Sequence, residues 1–318
     1  MQKSLSRTDK SRLGQWWWSV DRVLFIVFIL LMILGALLSM AASPGVAERI
    51  GASPFHFVWR HFLLIIPSFI VMFSLSLCSW DKLIQMNRVV FLATLFLMII
   101  TLLVGTPIKG AKRWISLGGF SLQASEFIKP SFAIIAAKLF SHSIRTYPWL
   151  SGRRLSTILY GLICMLLLLQ PDLGMTFIVT GIWLNQYFIS GLSWFFITIS
   201  MASLALVLVA SYFLFPHVSS RIDRFLDPES GDQYQINQSL DSFVAGGIWG
   251  VGPGEGRVKR LLPDAHADFI FPVIGEEFGF ILCVFIIILF ALIAWRGLRH
   301  AYGQSHIYVM LILVGLTM

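Results

Sequence analysis

The stretch VLFIVFILLMILGALLSMAA, at residues 23–42, contains 20 residues and no charged side chain. A helix needs about 20 mainly apolar residues to cross the roughly 30 Å hydrocarbon core of a bilayer, so this stretch can span a membrane once. Similar runs follow along the chain. The complete set covers residues 22–42, 59–79, 88–106, 125–142, 155–170, 173–191, 193–215 and 270–295, and a ninth run begins near His306.

The composition agrees with this pattern. Of 318 residues, 57% are hydrophobic and 13% are charged, and the mean hydropathy is +0.80. A soluble globular chain usually has about 45–50% apolar and about 25% charged residues, so an ordinary soluble enzyme and a disordered chain are both excluded. We attribute the net charge of +8 to Lys and Arg residues that orient the chain in the membrane, and we predict no nucleic acid partner.

The predicted fold is an all-α, polytopic transmembrane helical bundle. Lipid leaves only helices and closed barrels as spanning structures, and the runs lack the alternation of barrel strands. We expect a single transmembrane domain over residues 1–318, with eight complete spans and part of a ninth that the chain end at Met318 interrupts.

The distribution of Lys and Arg predicts the orientation. With the N-terminus in the cytoplasm, the inner segments carry twelve of these cations and the short outer loops carry five. This bias favours a cytoplasmic N-terminal segment at 1–21. Residues 216–269 then form a long extracytoplasmic loop between spans seven and eight, with five cations and eight acidic residues.

Two candidate features lie in residues 105–130. Lys112 and Arg113, with Lys109, stand beside glycines and could hold a phosphate group at the membrane interface. They could equally reach towards lipid headgroups. Glu126 and Lys129 are three residues apart and can pair on a helix, which indicates a structural ion pair.

Further candidates lie at turns and at the last complete span. Asp172, in QPDLG, could cap the next helix or line a polar cavity. Asp268 is the last charge before an apolar run, and a partly desolvated carboxylate at that boundary can act as a base. If a helix starts at Pro263, Asp268 shares a face with Asp264. The adjacent Glu276–Glu277 pair cannot share one face, so at least one of these acids needs a partner elsewhere.

Several of these segments resemble the SEDS family (shape, elongation, division and sporulation) of bacterial membrane proteins. The resemblance rests on GAKRWISLG with SEFIKP, QPDLG, YQ and QS at 234–239, GGIWGVGPGEG, and LPDAHADFIFPVIGEEFG. WWWSVDR and LSMAASPGVAERIG are more similar to the division members than to the elongation members. Ala124 and Ala267 replace the family's usual proline and threonine. Because the family has ten spans, this chain is expected to be truncated at its C-terminus.

The resemblance implies a peptidoglycan glycosyltransferase that polymerises lipid II at the outer face of the cytoplasmic membrane during cell division. It implies that Asp268 is the general base and that Lys112, Arg113 and Arg221 are candidates for the pyrophosphate. It places Gln235, Gln238 and His266 with substrate binding. The residues expected to shape or line the cavity are Glu126, Lys129, Asp172, Glu276 and Glu277. No metal site is specified by the sequence, and Mg²⁺ or Mn²⁺ is an expectation from the reaction class.

The implied partners are lipid II, the class B penicillin-binding protein that cross-links new strands, other divisome proteins and membrane lipid. The implied location is the bacterial inner membrane at the division septum. Two other functions remain open at this point, namely a lipid II flippase and a non-catalytic divisome scaffold. A flippase would need a cavity open alternately to both faces, and the concentration of charge in the predicted outer segments argues against it.

Overall fold

The computed structural model describes residues 11–108, 111–117, 120–141, 151–191, 234–262 and 265–318. It also describes isolated positions at 195, 198–199, 202, 205–206, 209–210, 212–213, 219 and 223. The chain divides into two compact units. Unit 1 contains Met1–Cys78 and Arg224–Ile293, and unit 2 contains Ser79–Asp223 and Ala294–Met318.

Helices account for most of the described residues. In chain order they are α1 (Arg12–Ser19), α2 (Arg22–Arg49), α3 (His56–Ser76), α4 (Trp80–Val104), α5 (Ala124–Ser141), α6 (Gly152–Leu169), α7 (Leu173–Ile189), α8 (Tyr234–Gly246), α9 (Ile270–Tyr302) and α10 (Ile307–Thr317), with a 3₁₀ turn at Val258–Arg260.

Five of these helices are long and apolar enough to cross a membrane, namely α2, α3, α4, α6 and α9. The apolar helices α7 and α10 are shorter, and α5 carries Glu126, Lys129 and Lys138 within its 18 residues. These helices confirm the predicted all-α membrane fold. Most of the predicted run at 193–215 lies outside the described residues.

Side-chain caps begin several helices where the apolar runs begin. Asp21 Oδ1 accepts hydrogen bonds from the backbone N–H groups of Val23 and Leu24, at 3.0 and 3.1 Å, at the start of α2. Ser151 caps α6 in the same way through Arg154 N. A cap satisfies backbone donors that have no partner within the first turn.

The core of unit 2 is centred on α5. Ile128 and Phe132 are fully buried there, together with Met98 of α4 and Ile163 of α6. Gln186 of α7 is also buried, and its Nε2 donates to backbone carbonyls of α5 and α10 at 2.8 and 2.9 Å. Hydrogen bonds of this kind hold helices together where lipid supplies little hydrophobic driving force.

A three-stranded antiparallel sheet connects α4 to α5, which the sequence patterns did not predict. Its strands are β1 (Thr106–Ile108), β2 (Ala111–Leu117) and β3 (Phe120–Leu122), in the order β1-β2-β3. The sheet is too short to span a bilayer, which takes about 9–11 residues per strand. It pairs the backbone groups of a segment that has left the apolar run of α4.

Helix α9 is interrupted at Gly279, which has φ 78° and ψ −179°. The glycine-rich segment 246–252 fits against this interruption. Val251 N and Gly252 N donate to the carbonyls of Glu276 and Glu277, at 2.9 and 3.0 Å, and Phe280 N donates to the Gly247 carbonyl at 3.0 Å. These bonds replace helical bonds that the break removes.

Close backbone approach explains the need for glycine at this contact. A Cβ atom on Gly250, which has φ +81°, would lie 2.2 Å from the Glu277 carbonyl oxygen, and one on Gly279 would lie 2.3 Å from the Ile248 carbonyl oxygen. Real side chains cannot occupy such positions. The glycine run therefore serves helix–loop packing, in agreement with the absence of a nucleotide-binding pattern in the sequence.

Candidate functional site

Asp268 lies in unit 1, in a turn two residues before α9 begins at Ile270. The expectation of a helix starting at Pro263 is wrong for residues 265–269, which form turns. Pro263 and Asp264 themselves lie outside the described residues. The side chain of Asp268 is exposed, and no hydrogen bond or ion pair to it occurs within the described part of the chain.

The turn that carries Asp268 is held from both sides. Leu262 and Ala265 are buried, and Arg49, at the end of α2, donates a hydrogen bond to the Leu262 carbonyl. His266 is half-buried and stacks on Phe57, at the start of α3, with ring centroids 4.0 Å apart and planes at 27°. Asp268 is therefore an exposed carboxylate on a well-anchored segment.

Glu276 is a buried carboxylate that accepts hydrogen bonds from three backbone donors. Its Oε1 accepts from Arg257 N at 2.6 Å and Val258 N at 2.8 Å, and its Oε2 accepts from Lys259 N at 2.7 Å. These donors lie at the start of the 3₁₀ turn, where N–H groups have no partner within the turn itself. The carboxylate thus fixes the segment 257–259 on α9.

Glu277 faces a different partner. Its Oε1 pairs with the ammonium of Lys259, whose Nζ also donates to the Ala41 carbonyl of α2 at 2.9 Å. Lys259 is 6% exposed and Glu277 is 1% exposed. Both glutamates therefore find partners outside their own helix. The sequence indicated that at least one of the two glutamates needs a partner, but it did not identify Lys259. The signal was the presence of two adjacent acids in an apolar run.

Gln235 and Gln238 lie on α8, also in unit 1. Gln235 is exposed and Gln238 is half-buried. Tyr234, at the start of this helix, donates its hydroxyl to the Leu261 carbonyl at 3.2 Å, which joins α8 to the segment that precedes Asp268.

In unit 2, Arg113 of β2 contacts the turn between α6 and α7. Its Nη1 lies 3.6 Å from Asp172 Oδ1, and its guanidinium donates to the carbonyls of Gln170 and Pro171. Lys112, the neighbouring residue, is exposed. The two cations, considered together in the sequence, therefore have different surroundings.

Asp172 performs the capping role that was one of its two predicted alternatives. Its Oδ1 accepts from Met175 N at 3.3 Å at the start of α7. It is 4% exposed, and its Oδ2 has no hydrogen-bond partner among the described residues. On α5, Glu126 and Lys129 form an ion pair of 2.7 Å in which the Glu126 side chain is 48% exposed.

Two of the cations singled out in the sequence, Arg221 and Lys109, lie outside the described residues. Within the part that the structure describes, no group of three or more His, Cys, Asp or Glu side chains is placed to hold a metal ion. Glu276 is engaged by backbone donors and Glu277 by Lys259 through Oε1, whereas Asp268 is an exposed carboxylate with no such contact among the described residues.

The sequence of this chain matches the family model described as "Cell cycle protein", which covers FtsW, RodA and SpoVE, over residues 21–318. The chain belongs to the FtsW/RodA/SpoVE family. Membership in the FtsW/RodA/SpoVE family confirms the resemblance on which the site residues were chosen.

Relatives in this family include two proteins named "Probable peptidoglycan glycosyltransferase FtsW". The protein of Caulobacter vibrioides is 37% identical over 302 residues, which cover 94% of this chain and 76% of that protein. The protein of Hydrogenovibrio crunogenus is 31% identical over 310 residues, covering 94% and 79%. These identities extend over nearly all of the described chain, including both units.

Solved structures agree on the fold. One is a chain of a peptidoglycan synthase complex, from work on how that complex coordinates polymerization and crosslinking. It is 25% identical, with a TM-score of 0.71 and coverage of 94% of this chain and 83% of that chain. The rod shape determining protein RodA of Thermus thermophilus is 23% identical, with a TM-score of 0.64 and coverage of 95% and 81%. Because the RodA chain is only 23% identical, its similarity supports the fold alone.

Proposed function

We propose that this chain is a peptidoglycan glycosyltransferase that polymerises lipid II into glycan strands at the outer face of the cytoplasmic membrane during cell division. The enzyme class is confirmed by the names of its FtsW relatives, which it matches over 94% of its length. The substrate, the membrane face and the septal location are parts of the proposal.

The exposed Asp268 is the observation that carries the mechanism. In chain elongation, a sugar hydroxyl of the acceptor attacks the anomeric carbon of the lipid-linked donor. The new glycosidic bond forms as the bond to undecaprenyl pyrophosphate breaks, and the electron pair leaves with the pyrophosphate. The hydroxyl proton needs an acceptor, and the carboxylate of Asp268 takes it as general base. An exposed carboxylate with no partner among the described residues can accept this proton.

The buried acids of α9 support this site without touching the substrate. Glu276 holds the 257–259 segment by three backbone hydrogen bonds, and Glu277 holds Lys259, which reaches α2. The segment that precedes the Asp268 turn is thereby attached to α9 and to α2. A catalytic group needs such support because small displacements from the productive geometry are costly in rate.

For the leaving group, we propose Lys112 as the contact to pyrophosphate and Arg113 as the residue that orients β2. Lys112 is exposed, whereas Arg113 is occupied by Asp172 and by two carbonyls of the turn. Arg221 remains a second candidate cation by resemblance. We also retain His266, Gln235 and Gln238 as candidates for sugar contacts, since they lie on the segments next to Asp268.

A divalent cation is a further part of the proposal. Mg²⁺ commonly uses one or two carboxylates together with substrate phosphates and water, so it does not require a group of three protein ligands. Asp268 fits that requirement as a single available carboxylate. When bound, such an ion would neutralise charge on the departing pyrophosphate.

We also propose a class B penicillin-binding protein as the partner that cross-links the new strands. The support is the likeness to a chain of a peptidoglycan synthase complex. The described helices make the chain a multi-pass membrane protein, and the predicted topology places the Asp268 segment outside the cytoplasm, where such a partner would meet the growing strand.

The deciding experiment is polymer formation from lipid II in detergent, by the full chain with its partner transpeptidase present. We expect Asp268→Asn to lower the rate by about 10²–10⁴-fold, the usual contribution of a general base. Asp81→Asn is the matched control, because Asp81 is an exposed aspartate in the first turn of α4, on the predicted cytoplasmic side. It should polymerise at the wild-type rate.

The outcomes separate the three functions. Wild-type polymer in detergent, where no two compartments exist, would exclude a protein that only flips lipid II. Retained polymer in Asp268→Asn would overturn the assignment of the base. Absent polymer from the wild type, with normal co-purification of the transpeptidase, would favour the scaffold. Loss of co-purification in Asp268→Asn would make the residue structural.

A further inference from the structure

A cavity of about 410 Å³ lies within unit 1, along one face of α2 and apart from Asp268. From α2 it is lined at three- to four-residue spacing by Leu37, Met40, Pro44 and Glu48, which is the spacing of one helix face. The opposite wall includes Lys259 and Arg260 of the 3₁₀ turn, with Glu277 and Phe278 of α9. This volume lies in the range typical of small-molecule sites.

The cavity is apolar at one end and charged at the other. Leu37 and Met40 are exposed apolar side chains, while Glu48 and Arg260 are exposed charged side chains. Arg260 packs on Gly45, where an added Cβ would lie 3.5 Å from Arg260 Cα and Cγ. Gly45 precedes Glu48 by three residues on the same helix face, so the carboxylate and the guanidinium flank the same rim.

The depth of the cavity matches one leaflet of a bilayer. Leu37 and Glu48 are 11 residues apart, which corresponds to about 16 Å along a helix, and half of the hydrocarbon core is about 15 Å. The 28 residues of α2 correspond to about 42 Å, the thickness of a bilayer with its headgroups. With a cytoplasmic N-terminus, Glu48 therefore lies at the level of the outer headgroups.

The charges at the rim indicate which kind of lipid headgroup the cavity can bind. Glu48 and Arg260 do not form an ion pair with each other among the described residues, and the second pair on the cavity wall, Lys259 with Glu277, is internally neutral. Within the described part of the chain neither Glu48 nor Arg260 has an ion-pair partner, and one such anion beside one such cation complements a zwitterion rather than a net anion. A carboxylate binds an ammonium most strongly when that ammonium can donate hydrogen bonds, and a guanidinium binds a phosphate in the same way.

We propose that this cavity is a binding site for a zwitterionic phospholipid with a primary ammonium headgroup, such as phosphatidylethanolamine. The phosphate contacts Arg260, the ammonium contacts Glu48, and one acyl chain follows the α2 face past Met40 to Leu37. The site is separate from the proposed transfer of sugars at Asp268, and the proposal does not depend on that activity.

The test is lipid binding to the full chain in detergent, measured by native mass spectrometry with three probes. Phosphatidylethanolamine should occupy one site at least about tenfold more tightly than phosphatidylcholine, which has the same phosphate but no N–H donor. Phosphatidylglycerol, which has no cation, should also bind at least about tenfold more weakly. Equal binding of all three lipids would overturn the proposal, and preference for phosphatidylglycerol would assign the site to an anionic lipid instead.

Single substitutions test which residues produce the lipid preference. Glu48→Gln should remove the preference for phosphatidylethanolamine over phosphatidylcholine, while Arg260→Gln should weaken both. Met40→Trp should fill the cavity and abolish the tight site. Ile33→Trp is its control, because Ile33 is an exposed residue of α2 outside the cavity lining, in a second groove that shares only Leu37 with the cavity. Unchanged lipid preference in Glu48→Gln, or equal loss in Met40→Trp and Ile33→Trp, would contradict the assignment.

Discussion

Asp268 and Glu277 are acidic residues nine positions apart, and their surroundings are opposite. Asp268 is exposed and has no internal partner among the described residues. Glu277 is 1% exposed and is paired with a lysine that is 6% exposed. A buried ion pair seldom adds net stability relative to an apolar pair, but loss of one member is expensive. The comparison therefore supports the proposal that the exposed acid takes part in the reaction and the buried one positions the segment.

The largest expected effect on stability comes from leaving Glu277 without its cation. Lys259→Met should lower the free energy of unfolding by about 3–5 kcal/mol, because a buried charge then has no partner. The double variant Lys259→Met with Glu277→Leu should recover most of that loss. Unfolding in mixed micelles by denaturing detergent gives the comparison directly.

Asp268→Asn serves as the control for this pair of variants. Because its side chain is exposed and has no partner in the described part of the chain, this variant should be as stable as the wild type. If Lys259→Met were as stable as Asp268→Asn, the buried pair would not position the segment, and the contrast between the two acids would have no energetic basis.

A smaller effect is expected at Glu276. Glu276→Gln keeps the shape but replaces one carboxylate oxygen by an NH₂ group, which cannot accept from the backbone N–H groups of the 3₁₀ turn. The expected loss is about 1–3 kcal/mol of stability. Because Glu276 supports the turn and does not touch substrate, kcat should fall together with stability. Glu255→Gln, at an exposed glutamate in the neighbouring loop, should change neither quantity.

The sequence predicted the parts of this molecule that depend on local spacing. Five of the apolar runs became membrane-length helices, Asp172 capped α7, and Glu126 paired with Lys129 one turn away. The adjacent acids Glu276 and Glu277 in an apolar run also indicated that at least one of them needs a partner from another segment. Each of these depends on residues a few positions apart or on a rule about burial.

What the sequence did not predict depends on contacts between distant residues or on backbone pairing. Lys259 lies 18 positions from Glu277, and the turn that Arg113 contacts lies 57 positions away, so neither pairing has a spacing to reveal it. The small sheet was missed because its strands are short and lie between two long apolar runs. The start of α9 at Ile270 agrees with the predicted run, but the turns at 265–269 were missed because Pro263 is compatible with a first helical turn and does not require one.

The two neighbouring cations of β2, Lys112 and Arg113, allow a similar comparison of an exposed and a paired residue within unit 2. Arg113→Ala should lower stability by about 1–3 kcal/mol, because Asp172 and two carbonyls lose a charged donor. Arg113→Lys should recover only part of this, since an ammonium cannot reproduce the planar fork. Lys112→Ala should leave stability unchanged and raise the apparent KM for lipid II.

A thermal unfolding series and lipid II titrations on the same preparations separate these two roles. A raised KM in Arg113→Lys at wild-type stability would show that Arg113 itself contacts the pyrophosphate, as the sequence alone predicted. An unchanged KM in Lys112→Ala would remove Lys112 from the site and leave Arg221 as the remaining candidate.

The smallest effect is expected for Glu126 and Lys129, the exposed counterpart of the buried pair in unit 1. Their distance of 2.7 Å is short, but the two side chains are 48% and 23% exposed. Exposed pairs of this kind contribute about 0.2–1 kcal/mol, because water screens both charges and two long side chains lose freedom. Lys129→Met should therefore cost far less stability than Lys259→Met, and added salt should reduce the small cost of Lys129→Met further. A loss of several kcal/mol in Lys129→Met would show that the pair is shielded in the membrane, and exposure would then no longer distinguish positioning residues from reactive ones.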